Sequence, residues 1–302
     1  MDALIQSLVA ANFAPERIIP RAPMARYTTF RVGGPADVLV NIADTREIPI
    51  ALRAAKHAGV PVTLISNGSN LLVRDGGIRG LVIVLGEPFS GLRVEGQQVW
   101  AQAGARLSAV AAAAQRAGLA GLEFASGIPG TLGGGCAMNA GAYGGELKDV
   151  LVWADVLLDG EVRRLSRDEM EMGYRSTMPL RRGAIVLSAC FELRQDDPEA
   201  IQERMRDLAN RRREKQPLNL PSAGSTFKRP EGHFAGVLIE QCKLKGCRIG
   251  GAQVSEKHAG FIVNVGEATA ADILNLIEHV QRVVRAQTGV HLETEVRVLG
   301  EN

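Results

Sequence analysis

The sequence predicts an α+β protein built from three consecutive units, and three observations carry that reading. Helical and strand-like stretches follow one another without a regular βαβ alternation, and a hairpin signal lies in the middle of the chain. Pro217 and Pro221 interrupt the pattern directly after a charged helical run, where they favour extended backbone and a boundary. Two segments, Ile65 to Val73 and Gly127 to Glu146, are so poor in bulky side chains that they offer main chain rather than packing surface.

Taken in order, Asp2 to Asn12 has the spacing of a short amphipathic helix. Asp37 to Ile42 is strand-like, Glu47 to His57 is helical and is stopped by Gly59-Val60-Pro61, and Val62 to Ile65 is a strand. This small α/β unit finishes at the Asn67 loop, so the first unit is expected over residues 1–66. The second, residues 67–197, is expected to contain Leu81 to Leu85, Arg93 to Glu95 and Gln98 to Gln102 as consecutive short strands. An alanine-rich helix from Arg106 to Ala117 then ends at Gly118. Val150 to Leu158 and Val162 to Leu165 flank Asp159-Gly160 and read as a β-hairpin, and Ile185 to Leu193 closes the unit. A third unit, residues 198–302, begins with the charged helix Pro198 to Lys215. It continues with a helix from Ala235 to Cys242, strands near Ala252 to Val254 and Gly260 to Val265, a long helix from Ala270 to Thr288, and a final strand from Glu295 to Leu299. No internal repeat is visible.

Eight of the twenty residues from Gly127 to Glu146 are glycine, and the only charge is the last residue. Such a density is costly in conformational entropy unless positive-φ turns or a ligand close to main-chain N–H groups require it, and a flat polyanionic cofactor fits that requirement. Asn67-Gly68-Ser69-Asn70 follows an apolar run and offers consecutive backbone donors with Ser and Asn side chains, the chemistry a pyrophosphate needs. Neither segment is a dinucleotide fingerprint of the G-x-G-x-x-G type, and the chain has no P-loop.

Composition narrows the partners. With 302 residues, 46% apolar and 23% charged, and a formal net charge of +2, the chain has no general attraction for nucleic acid. Cys136, Cys190, Cys242 and Cys247 lack C-x-x-C pairing and the five histidines lack H-x-x-x-H spacing, so no metal site is expected. The stretch from Met1 to Phe13 has no cationic leader pattern, and no apolar run approaches the roughly 20 residues of a membrane span. A reduced, cytoplasmic, monomeric protein acting on small molecules is expected.

Four motifs carry a resemblance. Pro221-Ser222-Ala223-Gly224-Ser225-Thr226-Phe227-Lys228-Arg229-Pro230 shows the pattern A-G-S-x-F-K-x-P. With G-I-P-G-T-L-G-G at 127–134, Gly173-Tyr174-Arg175-Ser176, and the terminal Leu292-Glu293-Thr294-Glu295-Val296-Arg297, it resembles the UDP-N-acetylenolpyruvoylglucosamine reductase (MurB) family over nearly the whole chain. No tyrosine follows Tyr174, and Gly232 to Gly266 runs compactly, so the resemblance is to the shorter, type II form without a tyrosine-bearing substrate loop.

The resemblance implies an FAD-binding domain of the vanillyl-alcohol-oxidase type in two subdomains, followed by a C-terminal α+β substrate domain. It implies non-covalent FAD and NADPH as co-substrate for reducing UDP-N-acetyl-3-O-(1-carboxyvinyl)-glucosamine to UDP-N-acetylmuramate. On this basis Asn67, Gly68, Ser69, Asn70 and Leu71 hold the pyrophosphate, while Ile128, Pro129, Gly130, Gly134, Gly141, Ala142 and Tyr143 lie against the flavin and its linker. Arg212, Lys215 and Arg229 flank the extended segment Gln216 to Pro221 as cations for the diphosphate and NADPH. Arg212 counts with the cofactor contacts, and Lys215, Lys228 and Arg229 with the substrate.

The implied catalytic residues are Arg175, Ser225 and Glu295. Hydride addition to an enolpyruvyl ether places negative charge beside a carboxylate, and Arg175 suits that position because a guanidinium keeps its charge and meets a carboxylate at two points. Ser225 is the proton donor to carbon, with Lys228 three residues away, and Glu295 polarises the substrate or relays protons. Glu293 fits the same motif with less support. Cys136 is the one residue of the glycine segments able to bond a flavin covalently. The residues alone also fit another FAD enzyme of that superfamily, oxidising small alcohols, or a non-catalytic flavin carrier.

Overall fold

The near-continuous apolar stretch Leu81 to Leu85 forms the middle of a sheet, because a strand flanked on both sides is buried on both faces. In the computed structural model, which describes residues 1–302, the chain opens with α1 (Asp2–Ala10), β1 (Ile18–Pro23), β2 (Pro35–Asn41), α2 (Glu47–His57) and β3 (Val62–Ile65). Next come β4 (Leu71–Val73) and β5 (Ile78–Val84), and the first sheet has the order β1-β2-β5-β3. Strand β5 runs parallel to both neighbours, with Val38 opposite Leu81 on one side and Leu64 opposite Ile83 on the other. The sequence placed this segment with the strands that follow it. Its pairing returns it to the first sheet, beyond the Asn67 loop.

The antiparallel part contains β6 (Leu92–Glu95), β7 (Gln98–Gln102), α3 (Leu107–Arg116) and β8 (Leu119–Ala120). It continues with α4 (Leu132–Ala137), β9 (Gly141–Ala142), β10 (Gly145–Glu146), β11 (Leu151–Leu158), β12 (Glu161–Ser166), α5 (Met178–Arg182), β13 (Ile185–Glu192) and β14 (Arg194–Gln195). Its five-stranded sheet has the order β12-β11-β13-β7-β6, and α3 and α4 pack over one face around Leu107, Leu132, Leu147 and Phe191.

Helix α4 lies inside the glycine-rich segment, where the sequence suggested main chain presented to a ligand. Part of that glycine serves packing instead. A Cβ on Gly133 would lie 2.7 Å from the Ala103 Cβ, and one on Gly135 would crowd Leu107 and Leu147 at 3.0 and 3.2 Å. A short helix can sit this close to a sheet only without those side chains.

The last part contains α6 (Pro198–Lys215), α7 (Ala235–Gln241), β15 (Arg248–Ile249), β16 (Ala252–Val254), β17 (Ile262–Asn264), α8 (Ala270–Thr288) and β18 (Arg297–Leu299). Asp197 caps α6 by accepting from Ala200 N–H at 3.0 Å, and Thr269 with Asp272 forms a capping box on α8. Three devices fasten this part to the first. Phe30, Val32 and Leu72 pack in its core beside Leu238, Ile273 and Val296. Strand β18 pairs in parallel with β4, Arg297 opposite Leu71. The Asp75 carboxylate accepts both Ala270 and Ala271 N–H at 2.9 Å, an anion on the positive end of α8. No helix is long and apolar enough to cross a membrane.

Candidate active site

A cavity of about 930 Å³ opens where the parts meet. Its walls come from Tyr27 to Thr29 and Arg31, from Ser66 and Asn67, from one face of α3, from Gly127, Pro129 and Thr131, and from Arg212 and the segment Gln216 to Ser222 with Gly224. Five arginines line it (Arg26, Arg31, Arg106, Arg116 and Arg212) against one carboxylate, Glu87, so the cavity selects a polyanion. Burial pushes the pKa of Arg212 below its usual value, and its Nε donates only to the neutral Gln216 Oε1 at 2.9 Å. A desolvated guanidinium without a carboxylate partner is a strong anion site.

The two side-chain-poor segments, 62 residues apart at their contact, face each other here. Asn67 Nδ2 donates to the Pro129 carbonyl at 2.9 Å, and Asn70 Nδ2 reaches the Met138 sulfur at 3.1 Å. The Cα side of Gly134 looks onto Ser66 Oγ and that of Gly130 onto Ser69 Oγ. Beyond them Tyr143 and Gly144, both at positive φ (54° and 90°), make the two-residue turn between β9 and β10, with Gly141 and Ala142 on its entering strand. Thr29 and Thr131, both on the cavity wall, have buried hydroxyl oxygens without a hydrogen-bond partner. Unpaired buried hydroxyls, unpaired cationic charge and open glycine backbone together fit an FAD-sized dinucleotide. Cys136 is fully buried and its thiol is pushed up to about 12, so it presents no thiolate to a flavin.

Gly68 fixes the shape of this cradle. Its φ of +61° disfavours any Cβ, and a Cβ there would collide with the Tyr27 carbonyl oxygen. Gly68→Ala is expected to cost roughly 2–4 kcal/mol of stability and most of the bound flavin. Thermal unfolding and the flavin-to-protein absorbance ratio measure both; a variant that melts like the parent with a full complement of flavin contradicts the cradle.

Arg175 and Glu295 meet although 120 residues separate them: Arg175 Nε donates to Glu295 Oε1 at 2.6 Å, with side chains 19% and 12% exposed. The Arg175 Nη atoms make only long bonds, to the carbonyls of Asn139 (3.4 Å) and Gly141 (3.5 Å), and so keep donors for a further anion. Glu295 precedes β18 by two residues instead of opening it, because its N–H donates across to the Thr226 carbonyl at 2.8 Å while Asn70 Nδ2 holds its own carbonyl at 3.1 Å. Ser225 is the residue before Thr226, is exposed, and makes no side-chain hydrogen bond within the chain. Glu293, also outside the strand, pairs with Lys228 at the surface. Arg229 is exposed, stacks 4.0 Å over Phe234, and donates its N–H to Tyr174 Oη at 3.1 Å. Lys215 is exposed at the end of α6, outside the cavity lining.

Asn67, Pro129 and Arg212 are therefore on the cavity wall, while Gly68, Ser69, Asn70, Leu71, Ile128, Gly130, Gly134, Gly141, Ala142 and Tyr143 belong to the same two side-chain-poor segments but not to the lining. Sequence reading missed the wall from Arg26 to Arg31 and the cations of α3. Two signals pointed there: Arg31-Val32-Gly33-Gly34, which brings backbone close to Val73 and Asp75, and Arg106 and Arg116 at the two ends of an otherwise neutral alanine helix.

Residues 36–166 match the family described as FAD binding domain, and residues 216–299 match the UDP-N-acetylenolpyruvoylglucosamine reductase C-terminal domain. The chain is 50% identical over 281 residues to the UDP-N-acetylenolpyruvoylglucosamine reductase of Clostridioides difficile (strain 630), covering 93% of this chain and 92% of that one. It is 47% identical over 299 residues to the enzyme of that name from Pediococcus pentosaceus, covering 99% of both. The crystal structure of UDP-N-acetylenolpyruvylglucosamine reductase (MurB) from Thermus caldophilus superposes with a TM-score of 0.81 at 36% identity, covering 94% of this chain and 98% of the other. The architecture is thus an FAD-binding domain of the vanillyl-alcohol-oxidase type with a C-terminal MurB domain, and the chain is a flavin oxidoreductase. With identity sustained over nearly its whole length and both domains of the family matched, the chain belongs to the UDP-N-acetylenolpyruvoylglucosamine reductase (MurB) family.

Proposed function

We propose that this chain reduces UDP-N-acetyl-3-O-(1-carboxyvinyl)-glucosamine to UDP-N-acetylmuramate for peptidoglycan synthesis, with NADPH as electron donor, as a monomer in the cytoplasm. The division into residues 1–66, 67–197 and 198–302 belongs to the same reading, save that β5 rejoins the sheet of the first unit, with the third unit binding the UDP-sugar. The observation that carries it is the Arg175–Glu295 pair, in which the Glu295 N–H donates to the carbonyl of Thr226, the residue that follows Ser225.

Bound FAD supplies the hydride, held without a covalent link by the loops of Asn67 and Pro129 and by Arg212. The remaining steps belong to side chains. Arg175 receives the substrate carboxylate on its Nη atoms and stabilises the charge that develops beside it. Glu295 fixes the guanidinium in plane through Nε and neutralises it when no substrate is present. Ser225, free of internal hydrogen bonds, donates its hydroxyl proton to the substrate carbon, and the exposed oxygen left behind is reprotonated from solvent. Lys215, Lys228 and Arg229 hold the diphosphate; the exposed Lys228–Glu293 pair is weak enough in water to exchange its carboxylate for a phosphate.

Anaerobic spectroscopy tests the reading. NADPH is expected to bleach the flavin and the enolpyruvyl UDP-sugar to restore its colour, with one NADPH consumed per UDP-sugar in steady state. Oxygen consumption driven by simple alcohols, or NADPH oxidation indifferent to the UDP-sugar, would overturn it.

A further inference from the structure

Asn139 is fully buried and uses every polar atom it has. Its Nδ2 donates to Glu146 Oε2 at 2.8 Å and to the Gly173 carbonyl at 3.1 Å, its Oδ1 accepts from Lys148 N–H at 3.0 Å, and its carbonyl accepts from Arg175 Nη1 at 3.4 Å. The Gly173 carbonyl opens a tight turn closed by reciprocal main-chain bonds with Ser176, of 2.8 and 3.4 Å, and at its tip Arg175 adopts a left-handed φ of 52°. A side chain other than glycine holds that conformation only when its surroundings impose it. They do so from both ends, because Thr177 Oγ1, at the exit of the turn, donates to the Ala137 carbonyl at 2.7 Å. The segment from Ala137 to Gly141 therefore grips the Arg175 turn before and after its tip.

Glu146 adds the second half of the argument. Its carboxylate is held below the usual range chiefly by Lys148, 2.8 Å away, then by Asn139, with the Arg175 charge a smaller contribution. It is thus a rival anion near the guanidinium. Its hydrogen bonds point it elsewhere, and Arg175 pairs with Glu295 alone.

We propose that Asn139 is a positioning residue for Arg175: its amide pins the turn through Gly173 and keeps Glu146 engaged, so the Nη edge of the guanidinium stays free for the substrate carboxylate. This rests on the assignment of Arg175 above. Asn139→Ala, Asn139→Asp, Arg175→Lys and the Asn139→Ala/Arg175→Lys double variant are compared by stopped flow in two separate steps, flavin reduction by NADPH and reoxidation by the enolpyruvyl UDP-sugar. For Asn139→Ala, reduction is expected to stay within about twofold of the parent while reoxidation slows by roughly 10–100-fold. The double variant is expected to reoxidise no more slowly than Arg175→Lys alone, because the amide acts through that arginine. Asn139→Asp keeps the acceptor for Lys148 N–H but turns a carboxylate towards Gly173 O and Glu146. Its reoxidation rate, relative to the parent, is expected to recover as falling pH restores a donor.

Equal slowing of both steps, multiplicative effects in the double variant, or reoxidation by Asn139→Ala within about threefold of the parent each overturn the proposal. Loss of flavin from both Asn139 variants overturns it as well, since the amide would then hold the fold and not the arginine. If Arg175→Lys itself leaves reoxidation unchanged, the assignment of Arg175 is what fails.

Discussion

Replacing Ser225 by alanine is expected to leave flavin content and flavin reduction by NADPH at parental levels and to slow reoxidation by the enolpyruvyl UDP-sugar about 10²–10⁴-fold, the range supplied by a positioned proton donor. The structure makes this a clean experiment. The loop does not depend on the Ser225 side chain, which is exposed and unbonded; its shape is set by Thr226, fully buried between strands. Thr226 N–H donates to the Gly260 carbonyl at 2.9 Å, its Oγ1 accepts from Ile262 N–H at 3.1 Å, and its carbonyl takes the Glu295 N–H at 2.8 Å. Removal of the neighbouring hydroxyl should therefore change stability by less than about 0.5 kcal/mol. A carbon-centred base formed beside Arg175 still needs its proton, and Ser225→Ala removes the donor positioned to give it. Single-turnover reoxidation that proceeds at the parental rate in Ser225→Ala would remove serine from the mechanism.

The fold was legible wherever one physical signal dominated. Helices α6 and α8 carry strong terminal markers, Asp197-Pro198 in one case and Thr269 with Asp272 in the other, and both begin where those residues say. Strand β5 was legible as a strand but not in its placement, since a doubly buried apolar run specifies neighbours on both sides without naming them. Glycine was ambiguous for a related reason. Gly133 and Gly135 make room for a helix on a sheet, Gly68 makes room for the Tyr27 carbonyl, and Gly134 leaves main chain open; the letters are the same in all three cases.

The site was legible in its parts and not in its assembly. Arg175 and Glu295 stood out only through motif resemblance, and nothing in the sequence distance of 120 residues announces a contact of 2.6 Å. Asn139 gave no signal at all, because an asparagine in a glycine-rich segment looks like any turn former until its four partners are seen.

Arg175→Met tests the pair itself and is expected to produce two separable effects. The first is catalytic: loss of a preorganised cation facing the developing charge should slow reoxidation by about 10²–10³-fold, with flavin reduction by NADPH unaffected. The second concerns the resting protein. Glu295 is only 12% exposed, and removing its partner strands a carboxylate that Asn70 touches only at the backbone. That should destabilise the protein, by less than the roughly 3–5 kcal/mol seen for a fully buried pair, because some solvent reaches both groups. Glu295→Gln in the same background should return part of this stability, since a neutral amide has no charge to strand, while catalysis stays low. The opposite pattern, with stability additive across the two substitutions and reoxidation restored in the double variant, would mean that the stranded Glu295 carboxylate caused the slowing and that Arg175 has no charge-stabilising role. A fall in NADPH-driven reduction to the same degree as reoxidation would instead place Arg175 in the packing of the flavin loops, where its Nη atoms approach the Asn139 and Gly141 carbonyls. Unfolding midpoints and the two half-reaction rates, measured on the two single variants and the double variant, separate these outcomes, because the charge argument ties the sign of the stability coupling to the step that slows.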